Sequence, residues 1–293
     1  MRERYLTFKE KMSELWFVIK RNAAAKLGLG ILIVIIGIAV FAPWIAPYNP
    51  NVKSGAIFLP PSHKHLLGTD DVGHDIFSQL IYGTRISLMI GVLAASTAII
   101  IGTLIGLSSG YFGGAVDEAL MRLTDVWLSI PMMLFAIFMV AVLSRTATRM
   151  LYSVIIAIAL TSWPGTARLV RSAVLSIKEY PYIESARAVG ASSWRIMINH
   201  ILPNVVPIII IEVITRTGLA MLTEASLSFL GLGDPTAISW GMIIHYAMIR
   251  NAIVNGFWWW FLPPGIMISI TVLGVLLLGL GLEEYFNPRL REG

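Results

Sequence analysis

Six apolar stretches govern what this chain can fold into, at residues 27–46, 86–108, 130–144, 150–167, 205–230 and 261–285. About 20 apolar residues suffice to cross a bilayer core roughly 30 Å thick as a helix. In hydrocarbon every backbone N–H and C=O must find a partner within the protein, so such stretches fold as helices. The predicted fold class is an all-α integral membrane protein with about six transmembrane helices. The stretch at 130–144 is short. Helical spacing of Val116, Leu120, Leu123 and Trp127 extends it back through 115–129. The stretch at 150–167 carries Pro164-Gly165, which predicts a kink or an end there.

Composition excludes the soluble classes. Hydrophobic residues make up 56% and charged residues 13%, and the mean hydropathy is +0.76. Soluble domains sit nearer roughly 45–50% and 25%. A soluble enzyme and a nucleic-acid binder are both ruled out, despite a net charge of +5. The chain has no Cys, so it has no disulfide framework and no thiolate metal site.

The polar segments divide the chain. Residues 1–26 are basic, and Leu15, Trp16, Val18 and Ile19 among Lys11, Glu14 and Lys20 suit an amphipathic surface helix. A first transmembrane helix at 27–46 and an outer loop at 47–85 follow. A five-helix core at 86–285 holds a loop at 172–204, and a tail runs over 286–293. With the N-terminus inside, fifteen Lys and Arg lie on inner segments and six on outer ones. That bias places both termini in the cytoplasm.

Four polar or aromatic groups are candidates for function. The outer loop reads His63-Lys-His65-Leu-Leu-Gly68-Thr69-Asp70-Asp71-Val-Gly73-His74-Asp75. Its His and Asp residues suit either a metal or a polar surface loop with turn residues, and the loop reading carries more weight because no rigid ligand spacing is present. The inner loop holds Glu184, Ser185, Ala186, Arg187, Ala188, Gly190 and Ala191, then Leu202-Pro203. Residues 183–189 can form a short helix, Gly190 a left-handed turn, and Ser192 or Ser193 the cap of a second helix. This is either a plug for a partner's groove or an ordinary loop helix. Glu212, Arg216 and Glu224 lie within a span, where charges face protein or a water-filled path. Glu212 and Arg216 are four apart and share a helix face. They are either pathway-lining or a structural ion pair. The run Phe257-Trp258-Trp259-Trp260-Phe261 reads as an interfacial aromatic belt, with a sugar-stacking platform as the alternative.

Glu184-Ser185-Ala186-x-x-x-Gly190, with Leu202-Pro203 after eleven further residues, resembles the EAA loop of ABC-importer permeases. Ser185 stands where that pattern has Ala, and His200 where it has Ile. Gly68-Thr69-Asp70-Asp71-x-Gly73-x-Asp75 resembles the outer-loop pattern of the dipeptide/oligopeptide/nickel permease family, with His74 in place of Arg or Lys. Gly110-Tyr111-Phe112-Gly113-Gly114 with Asp117, Met121-Arg122 and Thr124-Asp125 is similar too. So are Trp163-Pro164-Gly165-x-Ala167-Arg168-Leu169-Val170-Arg171, the stretch from Glu224 to Gly233, and Asn287-Pro288-Arg289-Leu290-Arg291.

The resemblance covers most of the chain and is to the second permease subunit of the family. It implies a type I importer fold with cytoplasmic coupling helices in a plasma or inner membrane. It also implies a heterodimer with a second permease, two ATP-binding subunits and an extracytoplasmic binding protein. No Gly-x-x-x-x-Gly-Lys-Ser/Thr occurs, so ATP and Mg would bind the partners and this chain carries no cofactor or catalytic residue. The implied cargo is di- or oligopeptide, with oligosaccharide or nickel as alternatives. A secondary transporter would show inverted repeats, and a membrane enzyme a nucleophile–base spacing. Neither is found in the sequence.

Overall fold

A computed structural model describes residues 22–144 and 150–286. The amphipathic segment read in residues 1–21, Arg145 and Arg149, and the motif starting at Asn287 lie outside the described residues. Helix α1 spans Ala23–Val40, capped by Asn22 Oδ1, which accepts from Ala25 N at 2.9 Å. A single turn, α2 (Ala42–Ile45), follows. Helix α3 (Ile76–Phe112) has 37 residues, about 55 Å at 1.5 Å per residue. It therefore takes in the last ten residues of the segment 47–85 read as outer loop. The cause is Asp75, whose side chain caps the helix well before the apolar stretch begins.

The third apolar stretch is not one continuous helix. Helix α4 (Gly114–Ser129) and helix α5 (Met132–Leu143) meet at 93°. Ile130 is extended (φ −89°, ψ 128°) because it precedes Pro131, whose ring disfavours helical geometry one residue back. Among the described residues five helices are long and apolar enough to cross a membrane, or six if this bent pair counts as one span.

Pro164 neither ends nor breaks α6, which runs Met150–Ile177. Proline has no N–H to offer the carbonyl of Leu160, four residues back. The indole N–H of Trp127, on α4, donates to that carbonyl instead at 2.7 Å. Side-chain satisfaction from a neighbouring helix is how membrane helices tolerate proline. The Trp127 ring also packs against Trp163, with centroids 5.8 Å apart.

Two short helices, α7 (Pro181–Ala188) and α8 (Ser193–Ile196), then lead through a wide turn at Met197–Ile201 into α9 (Leu202–Leu227). A second wide turn, Ser228–Leu232, precedes α10 (Trp240–Ile249), which is too short to cross a bilayer. The last helix is α11 (Trp258–Phe286). Glycines set the closest contacts. A Cβ on Gly28 of α1 would lie 2.5 Å from Gly274 O of α11. Gly102, Gly106 and Gly110, at four-residue spacing on α3, face the backbone of α6 in the same way.

The aromatic run is not a simple belt. Trp260 is only 1% exposed, in a cluster with Trp240, Ile76 and Leu80. Phe257 stacks on Phe58 of the outer loop at 5.0 Å, and Trp258 is half exposed. The run folds inward because the start of α11 packs in one cluster with Phe58 and Leu67, where apolar rings find apolar partners.

Candidate functional site

The motif from Gly68 to Asp75 forms a largely buried, hydrogen-bonded turn. Asp70 Oδ1 accepts from the backbone N–H groups of Val72, Gly73 and His74 at 2.8–2.9 Å. Its Oδ2 accepts from Gln79 Nε2 at 2.9 Å and lies 3.0 Å from His74 Nδ1. Asp75 Oδ2 accepts from Ser78 N and Ser78 Oγ, and Oδ1 lies 2.9 Å from His65 Nδ1. Thr69 Oγ1 donates to Ala56 O and accepts from Leu59 N. Gly68 and Gly73 sit where a Cβ would meet Leu59 O and Gly55 O. The reading of this segment as a polar surface loop is corrected: Thr69, Asp70 and Asp75 are buried, and their hydrogen bonds fix the start of α3. Among the described residues no three His, Cys, Asp or Glu converge as metal ligands, since the carboxylates are used in separate pairs.

Within the membrane-spanning region Glu212 and Arg216 meet. Arg216 Nε donates to Glu212 Oε2 at 2.8 Å, one turn apart on α9. Thr166 Oγ1 of α6 donates to the same oxygen at 3.3 Å. A Cβ on Gly165 would lie 2.3 Å from an Arg216 amino nitrogen, so the glycine after Pro164 leaves room for the guanidinium. Both charged side chains are partly exposed. Glu224 stands apart, eight residues or about 12 Å further along α9. It is 1% exposed and accepts from Ser228 Oγ at 2.7 Å. Gly233 and Gly241 close on Ser228, so the stretch from Glu224 to Gly233 forms the corner between α9 and α10.

The loop at 172–204 presents two short helices joined by a tight turn. Pro181 opens α7 at a position where a missing N–H costs nothing. Gly190 (φ +79°) ends it in a left-handed turn. Gly190 N donates to Arg187 O at 2.9 Å and Ala191 N to Ala186 O at 3.1 Å, the paired bonds of a Schellman cap. No atom crowds a Cβ at Gly190, so its backbone conformation, not space, calls for glycine there. Ser192 caps α8 through Arg195 N, and α9 starts at Leu202-Pro203. Ile183 is fully buried against Leu107, Val170 and Val174 and anchors α7 to α3 and α6. Glu184, Ser185, Arg187 and Ala188 are exposed. Val189 and Trp194 stand at 86% and 67% exposure.

One arrangement beside this loop has no signature in periodicity. Arg171 of α6 grips Asp117 of α4 with two parallel bonds, Nε to Oδ1 and Nη2 to Oδ2, each 2.5 Å. Ser109 Oγ donates to the same carboxylate. The partners are 54 residues apart, and only their presence in two family-like motifs could have paired them.

Residues 98–292 match the family described as binding-protein-dependent transport system inner membrane component. Residues 12–61 match the N-terminal TM domain of oligopeptide transport permease C. Among curated proteins, the chain is 36% identical to the dipeptide transport system permease protein DppC of Bacillus subtilis, over 94% of this chain and 85% of that protein. It is 38% identical to a putative peptide transport system permease protein of Brucella abortus, over 92% and 90%. It is also 38% identical to the glutathione transport system permease protein GsiD of Pectobacterium atrosepticum, over 94% and 89%. These matches displace the secondary-transporter and membrane-enzyme readings. The chain belongs to the binding-protein-dependent transport system inner membrane components, as a multi-pass permease subunit rather than an enzyme.

Proposed function

We propose that this chain pairs with a second, homologous permease to form the channel of a peptide importer. Two partner ATPases, which bind ATP and Mg, drive that channel, and an extracytoplasmic binding protein delivers cargo. The observation that carries the reading is the α7–α8 pair. An apolar anchor, Ile183, fixes it to the body while Glu184, Arg187, Val189 and Trp194 face outward. Small, exposed Ala188 allows a partner close approach, while Ala186 and Ala191 pack inward against the Ile183 cluster. Glu184 and Arg187 can make charge-assisted bonds to it. Peptide is favoured over oligosaccharide or nickel by the names of the relatives, which transport dipeptides, other peptides or glutathione. The Glu212–Arg216 pair either lines the route of that cargo or is a structural ion pair joined to α6 through Thr166.

Docking on the ATPase side requires the inner loop to be cytoplasmic, as the fifteen-to-six charge bias indicates. A reporter fused after Asn51 is expected to read outside, and one fused after Lys178 inside. An outside reading at Lys178 would remove the docking assignment.

The coupling role is tested by Gly190→Val. A side chain in the left-handed conformation costs about 1–2 kcal/mol, and a β-branched one more. The subunit is expected to stay in the membrane, since no atom lies within 4 Å of a Cβ at position 190. Transport in reconstituted vesicles should fall by about five- to thirtyfold, the ratio to which 1–2 kcal/mol corresponds. The ATPase should either detach in pull-down or hydrolyse ATP without transport. Normal transport by an intact Gly190→Val complex would refute the assignment.

A further inference from the structure

We propose that Asp117, clamped by Arg171 and Ser109, is the positioning residue through which movement of α7 reaches the broken span α4–α5. This rests on the reading that α7 docks a partner ATPase.

The links form a continuous series. Beyond its Ile183 anchor, α7 places the Arg187 guanidinium 5.5 Å over the ring of Tyr111, in the last turn of α3. Lys178, just ahead of α7, donates to Gly110 O at 3.1 Å in that same turn. The end of α3 is therefore held to both sides of the docking helix. The chain next turns at Gly113 and Gly114, which have φ +66° and +51° and no neighbour within 4 Å of a Cβ. With two successive glycines and no side-chain packing, that junction constrains the direction of α4 only weakly by itself.

Asp117 removes the freedom. It sits in the first turn of α4, three residues past Gly114. Its two-bond pair with Arg171 ties α4 to α6, and Ser109 ties it to α3. The rest of α4 offers little other attachment: Thr124 is its one buried residue. Asp125–Arg168 is a more exposed, singly bonded pair. Trp127 holds the far end through Leu160 O. With the clamp closed, the inner ends of α3, α4 and α6 move with α7. With it open, α4 pivots on Gly113-Gly114 and lags behind.

The test is the ratio of transport to ATP hydrolysis in the full reconstituted complex. Asp117→Asn and Arg171→Gln are each expected to lower that ratio at least about fivefold, the lower end of typical coupling strengths. Both should leave the ATPase bound in pull-down. The reversed pair, Asp117→Arg with Arg171→Asp, should restore the ratio, which a loss of general packing would not permit. If the single variants fail to assemble, Arg171→Lys decides. It keeps the charge but cannot make two parallel bonds, so a lowered ratio supports the clamp and a wild-type ratio overturns it. An unchanged ratio in assembled Asp117→Asn also overturns it. Failure of the underlying reading looks different, because the wild-type chain itself would then capture no ATPase.

Discussion

Replacing Gly106 with Leu is expected to abolish assembly of the subunit, the largest effect of any single change considered. A Cβ there would lie 2.4 Å from Ala167 O and 3.0 Å from Arg171 N, both backbone atoms of α6. Overpacking costs about 1–3 kcal/mol where neighbouring side chains can shift. Backbone cannot rotate out of the way, so the cost should reach at least the top of that range. Separating α3 from α6 would also open the contacts at Gly102 and Gly110, where Cβ atoms would meet Thr166, Trp163 O and Val174 at 2.7 Å. Gly30→Leu and Gly37→Leu are the controls, because no atom lies within 4 Å of a Cβ at either position. Thermal unfolding of purified subunit in detergent checks the difference. A Gly106→Leu subunit that melts with the wild type would show that α3 and α6 are not in this register.

Arg216→Ala should come next in severity. It leaves the Glu212 carboxylate with a bond from Thr166 Oγ1 at 3.3 Å. Breaking a buried ion pair by removing one member costs about 3–5 kcal/mol. The partial exposure of this pair points to the lower end. Glu212→Gln with Arg216→Met should be milder than the sum of the single losses, because neither charge is then stranded. Additive losses in melting temperature and transport would show that the two side chains do not depend on each other.

Hydropathy made the spans legible because each helix must satisfy its own backbone in lipid, a demand written locally in the sequence. Much of the α7–α8 geometry was legible for the same reason: Gly190 and the capping Ser192 each act within a few residues, although the start of α7 at Pro181 lies two residues before the stretch read as helix. What escaped depends on distant partners. The fate of Pro164 was decided by Trp127, and that of Asp117 by Arg171. Pro131 was in plain view, yet apolar periodicity on both sides of it hid a right-angled break. The long start of α3 escaped because it is polar enough to read as loop, and only the cap at Asp75 reveals it. Helix α10 is apolar but short, and it merged with the corner that precedes it.

The bond from Trp127 to the carbonyl opposite Pro164 bears on the order in which the subunit is made. An unsatisfied backbone group in hydrocarbon costs several kcal/mol. The tryptophan lies 33 residues before Leu160, so the ribosome releases the donor first. Helix α6 thus reaches the bilayer with a gap that an earlier helix is already present to fill. Biosynthesis of this part of the protein is a sequence of dependent arrivals: α4 must wait at the site before α6 can settle there.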